Sequence, residues 1–345
     1  MNQPTDFDDY DELEALPIRH YNRQQSQVPR KASRPEHKPK VDPQQILASI
    51  VDEEEDQEDF IKTYQPSRFE RPWIIEALGG FYHQHWITDI LRQVKGGKEA
   101  SVYLCAGHPS ASQPYLAAKV YRPRHFRNLR NDHLYREGRT DLDDEGHQIV
   151  KEKQVHAIQK KTEYGRELLH SSWIAYELQA MQTLYAAGAA VPAPYGRSHN
   201  AILMDYLGDP DFPAPILNSV TLEPSEARRL FKVVVENIEL MLSNELIHAD
   251  LSAYNILYWQ GRVWLIDFPQ VVAPGQNRSA FRIFERDVTR VCEYFNRMGL
   301  NEDPTHLARD LWRQRGLRLR PEVHPRLLDD QDEGDYAFWQ HLQDE

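Results

Sequence analysis

The sequence predicts an α+β fold in two lobes, a mainly β N-terminal lobe and a truncated, α-rich C-terminal lobe, and three observations carry that expectation. Short β-rich runs joined by a glycine turn crowd into residues 86–121, and two long stretches of helical periodicity follow, 166–186 and 224–244. Between the second helix and a later strand lies "LIHADLSAYNILYWQGRVWLID", residues 246–267, where charged and amide side chains interrupt an apolar segment. Unpaired buried polar groups are costly, so such a loop needs partners from outside its own apolar surroundings.

The first 65 residues pass from acidic ("DFDDYDELE") to basic, Pro- and Gln-containing, to acidic again ("VDEEEDQED"). They lack the apolar surface to offset chain entropy, so this segment is expected to be disordered apart from a short helix around Gln44 to Val51. Residues 1–60 hold seven Lys/Arg against fifteen Asp/Glu, and residues 329–345 hold seven acids and no Lys/Arg. With a total of −12, the middle of the chain is therefore mildly basic, and the acidity belongs to the tails as solvated charge or docking segments.

"WITDILRQV", "SVYLCAG" and "YLAAKVY" read as three strands, the first two joined by "GGKEA". A long polar stretch, 122–165, reads as a flexible insertion, and its neighbourhood 121–140 carries six arginines against two acids. The helix over 166–186 places Ile174, Leu178, Met181 and Tyr185 on one face, with Gly188 as its stop. "AILMDYLG" is a strand running into a glycine turn. The next helix runs from Pro224 to about Asn244 with Leu230, Val234, Ile238 and Met241 inward, and proline suits its first turn. "RVWLID" is a strand, and a helix over 281–298 turns Val288, Val291 and Phe295 inward. The resulting layout is an N-lobe over 66–208, a C-lobe over 209–328 and an acidic tail over 329–345.

Two cysteines, Cys105 and Cys292, are too few for a disulfide framework or a thiolate metal site, and no apolar run approaches a membrane span. The expectation is a soluble cytoplasmic protein with no membrane partner.

Asp250 and Asn255 lie five apart on the polar loop, and Asp267 ends the hairpin that follows. In kinases an aspartate orients an attacking hydroxyl, an asparagine a few residues on holds a metal, and a later aspartate holds the metal bridging the phosphates. Oxygen ligands beside nucleotide phosphates suit Mg2+, with Mn2+ as the substitute. Upstream, Ala117 and Lys119 share one face of a strand; in a kinase reading Ala117 leaves room for adenine, Lys119 contacts the phosphates, and Glu177 on the following helix can pair with Lys119.

"GGKEASVYLC", "LAAKVY", "SWIAYELQAM", "ILMDYLGD", "HADLSAYN" and "LIDFPQ" together resemble the RIO family of atypical protein kinases over residues 80–298. The resemblance implies a RIO-type Ser/Thr kinase fold and ATP-dependent phosphoryl transfer to a protein, autophosphorylation included. It places Gly96, Gly97, Lys98, Glu99 and Ser101 at the nucleotide phosphates, Met204 at the gatekeeper, and the backbone of Asp205, Tyr206 and Leu207 at the adenine hinge. Asp250 becomes the catalytic base, Asn255 and Asp267 the metal ligands. "IDFPQ" is similar to the second subfamily and the phosphate loop to the first, while 66–87 is too short for the second subfamily's winged-helix domain, which fits a divergent, bacterial-type member.

Ala249 stands where most protein kinases have a phosphate-reading arginine, and "APG" follows Asp267 too closely to leave an activation segment. An alternative is an ATPase switch in ribosomal-subunit maturation with a phosphoaspartate at Asp267, a route carboxylates support. Stretch 121–140 would then contact RNA or a ribosomal subunit, or is a solvated loop. A small-molecule phosphotransferase of the aminoglycoside or choline kinase type ranks last, because of Ala249, the "GKEA" loop and the short C-terminal region.

Overall fold

The computed structural model describes residues 60–68, 70–97, 99–122, 141–143, 146–277 and 279–317. The expected helix at 44–51, residues 123–140 and the acidic tail lie outside these residues.

Helix α1 (Arg71–His83) leads into strands β1 (Ile87–Gly96), β2 (Ala100–Gly107) and β3 (Tyr115–Tyr121). Helices α2 (Glu152–Gln159) and α3 (Glu163–Ala186) follow, then β4 (Pro194–Ser198) and β5 (Ala201–Asp205). The rest is α4 (Pro224–Ser243), the hairpin β6 (Ile256–Trp259) and β7 (Arg262–Leu265), α5 (Ala280–Arg297) and α6 (Pro304–Gln314). The five-stranded sheet has order β1-β2-β3-β5-β4 and is antiparallel throughout.

The two-residue period of β3 and β5 divides their side chains between two cores. Leu116, Ala118, Val120, Ala201 and Leu203 join Ile74, Leu78 and Phe81 of α1. Tyr121 and Ile202, one residue out of phase, join α3, α4 and the hairpin in the larger core. The face that carries Ala117 and Lys119 is thereby turned toward the C-terminal half, the first requirement for a site between them.

Three expectations need correction. Residues 60–65 are not an unstructured tail: Phe60 and Ile61 are buried in the sheet core, and the Phe60 carbonyl accepts from Ile90 N–H at 3.1 Å. Apolar content too sparse to reveal a periodicity still suffices when only two side chains are needed to seal α1 against β1. Insertion 122–165 is shorter than expected, because Leu142 and Ile149 are buried, α2 occupies 152–159, and α3 starts at Glu163 behind a Thr162 cap. Tyr185 is 52% exposed rather than on the inward face of α3, although Ile174, Leu178 and Met181 are inward. The inward stripe continues through Leu184, three residues on from Met181 and 0% exposed, so Tyr185, one position later, faces outward.

Candidate active site

The β1–β2 turn brings the phosphate-loop residues to the sheet's edge. Gly96 pairs with Ser101, and Gly97 N–H donates to Ala100 O at 2.9 Å. A Cβ on Gly97 would sit 2.8 Å from that same oxygen, so only glycine closes the turn this tightly. Ser101 is buried, the Glu99 carbonyl is held by Arg122 N–H at 2.9 Å, and Lys98 lies outside the described residues.

Ala117 lies opposite Leu104 on one side and Met204 on the other, the smallest side chain of the three. Beyond Met204 the Asp205 carboxylate is spent on β4, accepting from Tyr195 OH at 2.6 Å and from Ala193 N–H at 3.2 Å. The hinge thus offers backbone rather than side-chain groups. Tyr206 is tied to β1 by Arg92, whose guanidinium donates to its hydroxyl at 2.9 Å, and the Leu207 carbonyl accepts from Ala214 N–H. Gly208, at φ 137°, ends the segment where a Cβ would meet Phe212 O at 2.5 Å.

Lys119 is the centre of the cluster. Its ammonium donates to Glu177 Oε1 at 2.6 Å and to Asp267 Oδ1 at 2.5 Å, so residues 58 and 148 positions away converge on one nitrogen. Burial alone would depress the Lys119 pKa, but the two carboxylates together outweigh it and hold the lysine charged well above its usual value. The reciprocal effect holds Asp267 below the ordinary carboxylate value despite its own burial penalty. Glu177 is 1% exposed and also accepts from the Tyr121 hydroxyl, while the Tyr121 ring lies beneath the ammonium at 5.3 Å.

The polar loop is held from behind by His248, which is buried and packed on Phe268 with ring centroids 4.9 Å apart. Asp250 N–H reaches His248 Nδ1 at 3.3 Å, and Nε2 lies 3.1 Å from Ile266 O. Both contacts are satisfied when Nδ1 accepts and Nε2 carries the proton, the neutral tautomer, and burial lowers the pKa in the same sense. Ala249 takes φ 66°, a left-handed turn whose carbonyl accepts from Arg286.

That turn presents Asp250. Asn255 Nδ2 donates to Asp250 O at 2.9 Å and to Asp250 Oδ2 at 3.0 Å, while Arg290 Nη1 donates to Oδ1 at 3.0 Å. With its nitrogen committed to Asp250, Asn255 retains its side-chain oxygen as a metal donor. Asp267, at φ 74°, offers a second hard oxygen group whose side chain is 43% exposed. This donor set fits a magnesium ion completed by nucleotide phosphates.

Lys119, Glu177 and Asp267 form one bonded cluster and Asp250, Asn255 and Arg290 a second, and the two are linked through Ile266, next to Asp267, whose N–H donates to Asn255 O and whose carbonyl meets His248. Four participants escaped the sequence reading: Tyr121, Arg286, Asp287 and Arg290. Asp287 had a legible signal, an acid on the inward stripe of α5 between Phe284, Val288 and Val291, all four buried. Arg286 and Arg290, spaced i and i+4 on that helix, look like solvated charges until the loop is folded against them.

A family model described as RIO domain matches residues 102–307. The chain is 31% identical over 132 residues to a RIO-type serine/threonine-protein kinase Rio1 of Thermoplasma acidophilum, covering 38% of this chain and 68% of that protein. It is 28% identical over 215 residues to the Haloferax volcanii protein of the same name, covering 61% and 64% of the two chains. Against the human serine/threonine-protein kinase RIO1 the identity is 32% over 127 residues, 36% of this chain but only 22% of that one.

Proposed function

The chain belongs to the RIO family, and from that premise we propose that it transfers the γ-phosphoryl group of Mg·ATP to a serine or threonine hydroxyl of a protein. The observation that supports this reading most is the bridging of Glu177 and Asp267 by Lys119 while Asn255 is tied to Asp250. A lysine fixed by a buried glutamate is a point charge held ready for α- and β-phosphate oxygens. Asn255 and Asp267 would hold the magnesium ion, which when bound neutralises charge on the phosphates. Asp250, its carboxylate aimed by Asn255 and Arg290, orients the acceptor hydroxyl and takes its proton late in transfer. The adenine lies over the small side chain of Ala117 beside Met204, with the backbone of 205–207 as its polar edge.

Little room for an activation segment remains, since only residues 268–279 separate Asp267 from α5. Together with Ala249, this favours a centre that is not switched by activation-loop phosphorylation. For partners, the six arginines of 121–140 support contact with RNA or a ribosomal subunit. The chain would act in the cytoplasm, among such partners.

The test is incubation of the full chain with γ-labelled ATP and magnesium, followed by mass spectrometry of the products. Phosphoserine or phosphothreonine is expected. An acyl phosphate on Asp267 with free phosphate and no hydroxyl acceptor would replace this reading with the ATPase one. Asp250→Asn should lower transfer roughly 10²- to 10⁴-fold, the usual range for loss of a positioned acid or base, with ATP affinity changed only a few-fold. Unchanged turnover would remove Asp250 from this role.

A further inference from the structure

A cavity of about 420 Å³ opens on Asp250, and neither Lys119 nor Asp267 lines it. Its walls include Asp250, Ser252 and Asn255 of the polar loop and Arg290, Tyr294 and Arg297 of α5. No residue of the five-stranded sheet lines it, so it is separate from the sheet face that carries Ala117 and Lys119. A second cavity of about 570 Å³ shares Arg290 and Glu293 with the first and continues along α5 past Arg282 and Arg286.

We infer that this continuous groove is the acceptor site and that it selects serine or threonine segments rich in acidic residues. The inference rests on the reading of Asp250 as the group that meets the acceptor hydroxyl. With so few residues between Asp267 and α5, the wall that an acceptor chain meets beside Asp250 is α5 itself. The groove's lining carries four guanidinium groups, Arg282, Arg286, Arg290 and Arg297, against three carboxylates, Glu285, Glu293 and Asp250. Arg290 is paired with Asp250 and Arg286 with Asp287, which leaves Arg282 and Arg297 as the groove's cations not tied to an aspartate among the described residues. Arg297 is exposed at the rim, its guanidinium 6.0 Å from the Tyr294 ring and 3.4 Å from Asn218 Oδ1. These two contacts hold the planar fork on the rim, where it can meet a carboxylate.

Arg290 adds a coupling between recognition and chemistry. It is bound to Asp250 Oδ1, the oxygen that Asn255 does not hold. A carboxylate arriving from the acceptor competes for Arg290 and frees Oδ1 for the acceptor hydroxyl. A neutral or basic segment offers no such exchange. The chain itself contains a segment of the required chemistry: Thr5 in "MNQPTDFDDYDELE" is followed by six acids within nine residues. That segment provides the probe.

The experiment uses the full chain with Mg·ATP and three synthetic peptides: residues 1–14, the same peptide with its six acids changed to amides, and one with them changed to lysine. The acidic peptide is expected to be phosphorylated on Thr5 with kcat/KM at least 10-fold above the amide peptide, mainly through KM. Arg297→Glu should reverse the order, favouring the lysine peptide, and Arg297→Lys should restore the acidic preference in part. A merely structural role for Arg297 would lower all three together. Equal use of the three peptides, or a ranking that Arg297→Glu does not change, overturns the inference. So does finding that Arg297→Glu releases a single-stranded RNA oligomer from the chain while leaving peptide preference intact. Calorimetric ATP binding and transfer to any hydroxyl are followed in parallel on the unaltered chain. Loss of those would instead sink the phosphoryl-transfer reading on which the inference stands.

Discussion

Lys119 concentrates the site's electrostatics on one nitrogen, and its removal separates what the cluster does for folding from what it does for chemistry. Glu177 is 1% exposed, and without the lysine it keeps only the Tyr121 hydroxyl among its bonds described above. A buried carboxylate left without its cation is costly, so Lys119→Met should destabilise the fold by about 2–4 kcal/mol in chemical unfolding. Lys119→Met with Glu177→Gln should recover much of that loss, because the orphaned charge is gone, yet should not recover phosphoryl transfer. A double variant no more stable than the single one would mean that Glu177 is not held in place by charge. The pair was legible in the sequence by residue type and order, since a lysine in an alternating strand and a glutamate beside a helix's apolar stripe can meet. The second carboxylate on the same lysine was not: that contact depends on the left-handed turn at Asp267, φ 74°, which no pattern of residues 246–267 specifies.

Helix α5 is the element that supports the polar loop, and it does so with Arg286 and Arg290, which its inward apolar pattern does not single out. Its inward stripe was read correctly from Val288, Val291 and Phe295, all buried. Asp287 lies on that same stripe, 2% exposed, with Arg286 at 3.2 Å from Oδ1, the Leu251 backbone bonded to its carboxyl, and no hydrogen-bond partner for Oδ2 among the described residues. Burial pushes its pKa up to about 7, against the pull of Arg286 in the other direction. A carboxyl with a raised folded pKa gives stability that is complete below its unfolded value and is lost as pH rises through the folded one. Relative to Asp287→Asn, the parent chain should therefore lose about 1–3 kcal/mol between pH 5 and pH 8 in urea titrations. His248 works in the opposite sense: its lowered pKa gives stability present above about 6.5 and lost on acidification, so the comparison must be made variant against parent at each pH. A difference that does not change with pH would mean that Asp287 is ionised throughout. The reach of periodicity ends here, because it tells which face of a helix is inward but not which inward polar group a distant loop will satisfy.

At the scale of the whole molecule, most strands and helices between 86 and 298 were legible in order, while the short strand β4 and helices α1, α2 and α6 were not. Each of these helices is short, 8 to 13 residues, and buries only one to four side chains. Such a stripe is too brief to stand out from a polar background, although α1 seals one whole face of the sheet. What joins the sheet to the C-terminal half at the site is the ion pair from Lys119 on β3 to Asp267 beyond β7. A nucleotide held by the phosphate loop and Lys119 above, and through magnesium by Asn255 and Asp267 below, would add a second tie between the same two parts. Binding to the folded chain alone must stabilise it, by about 2.7 kcal/mol at a ligand concentration 100 times Kd. For a folded region of this size that corresponds to a rise in Tm of roughly 5–10 °C. The rise should need both ATP and magnesium in differential scanning calorimetry, and most of it should disappear in Asp267→Asn, which keeps the side chain's shape but removes the charge that holds the metal. If ATP with excess chelator raises Tm as far as Mg·ATP does, the nucleotide is held by the sheet alone and Asp267 is not a metal ligand.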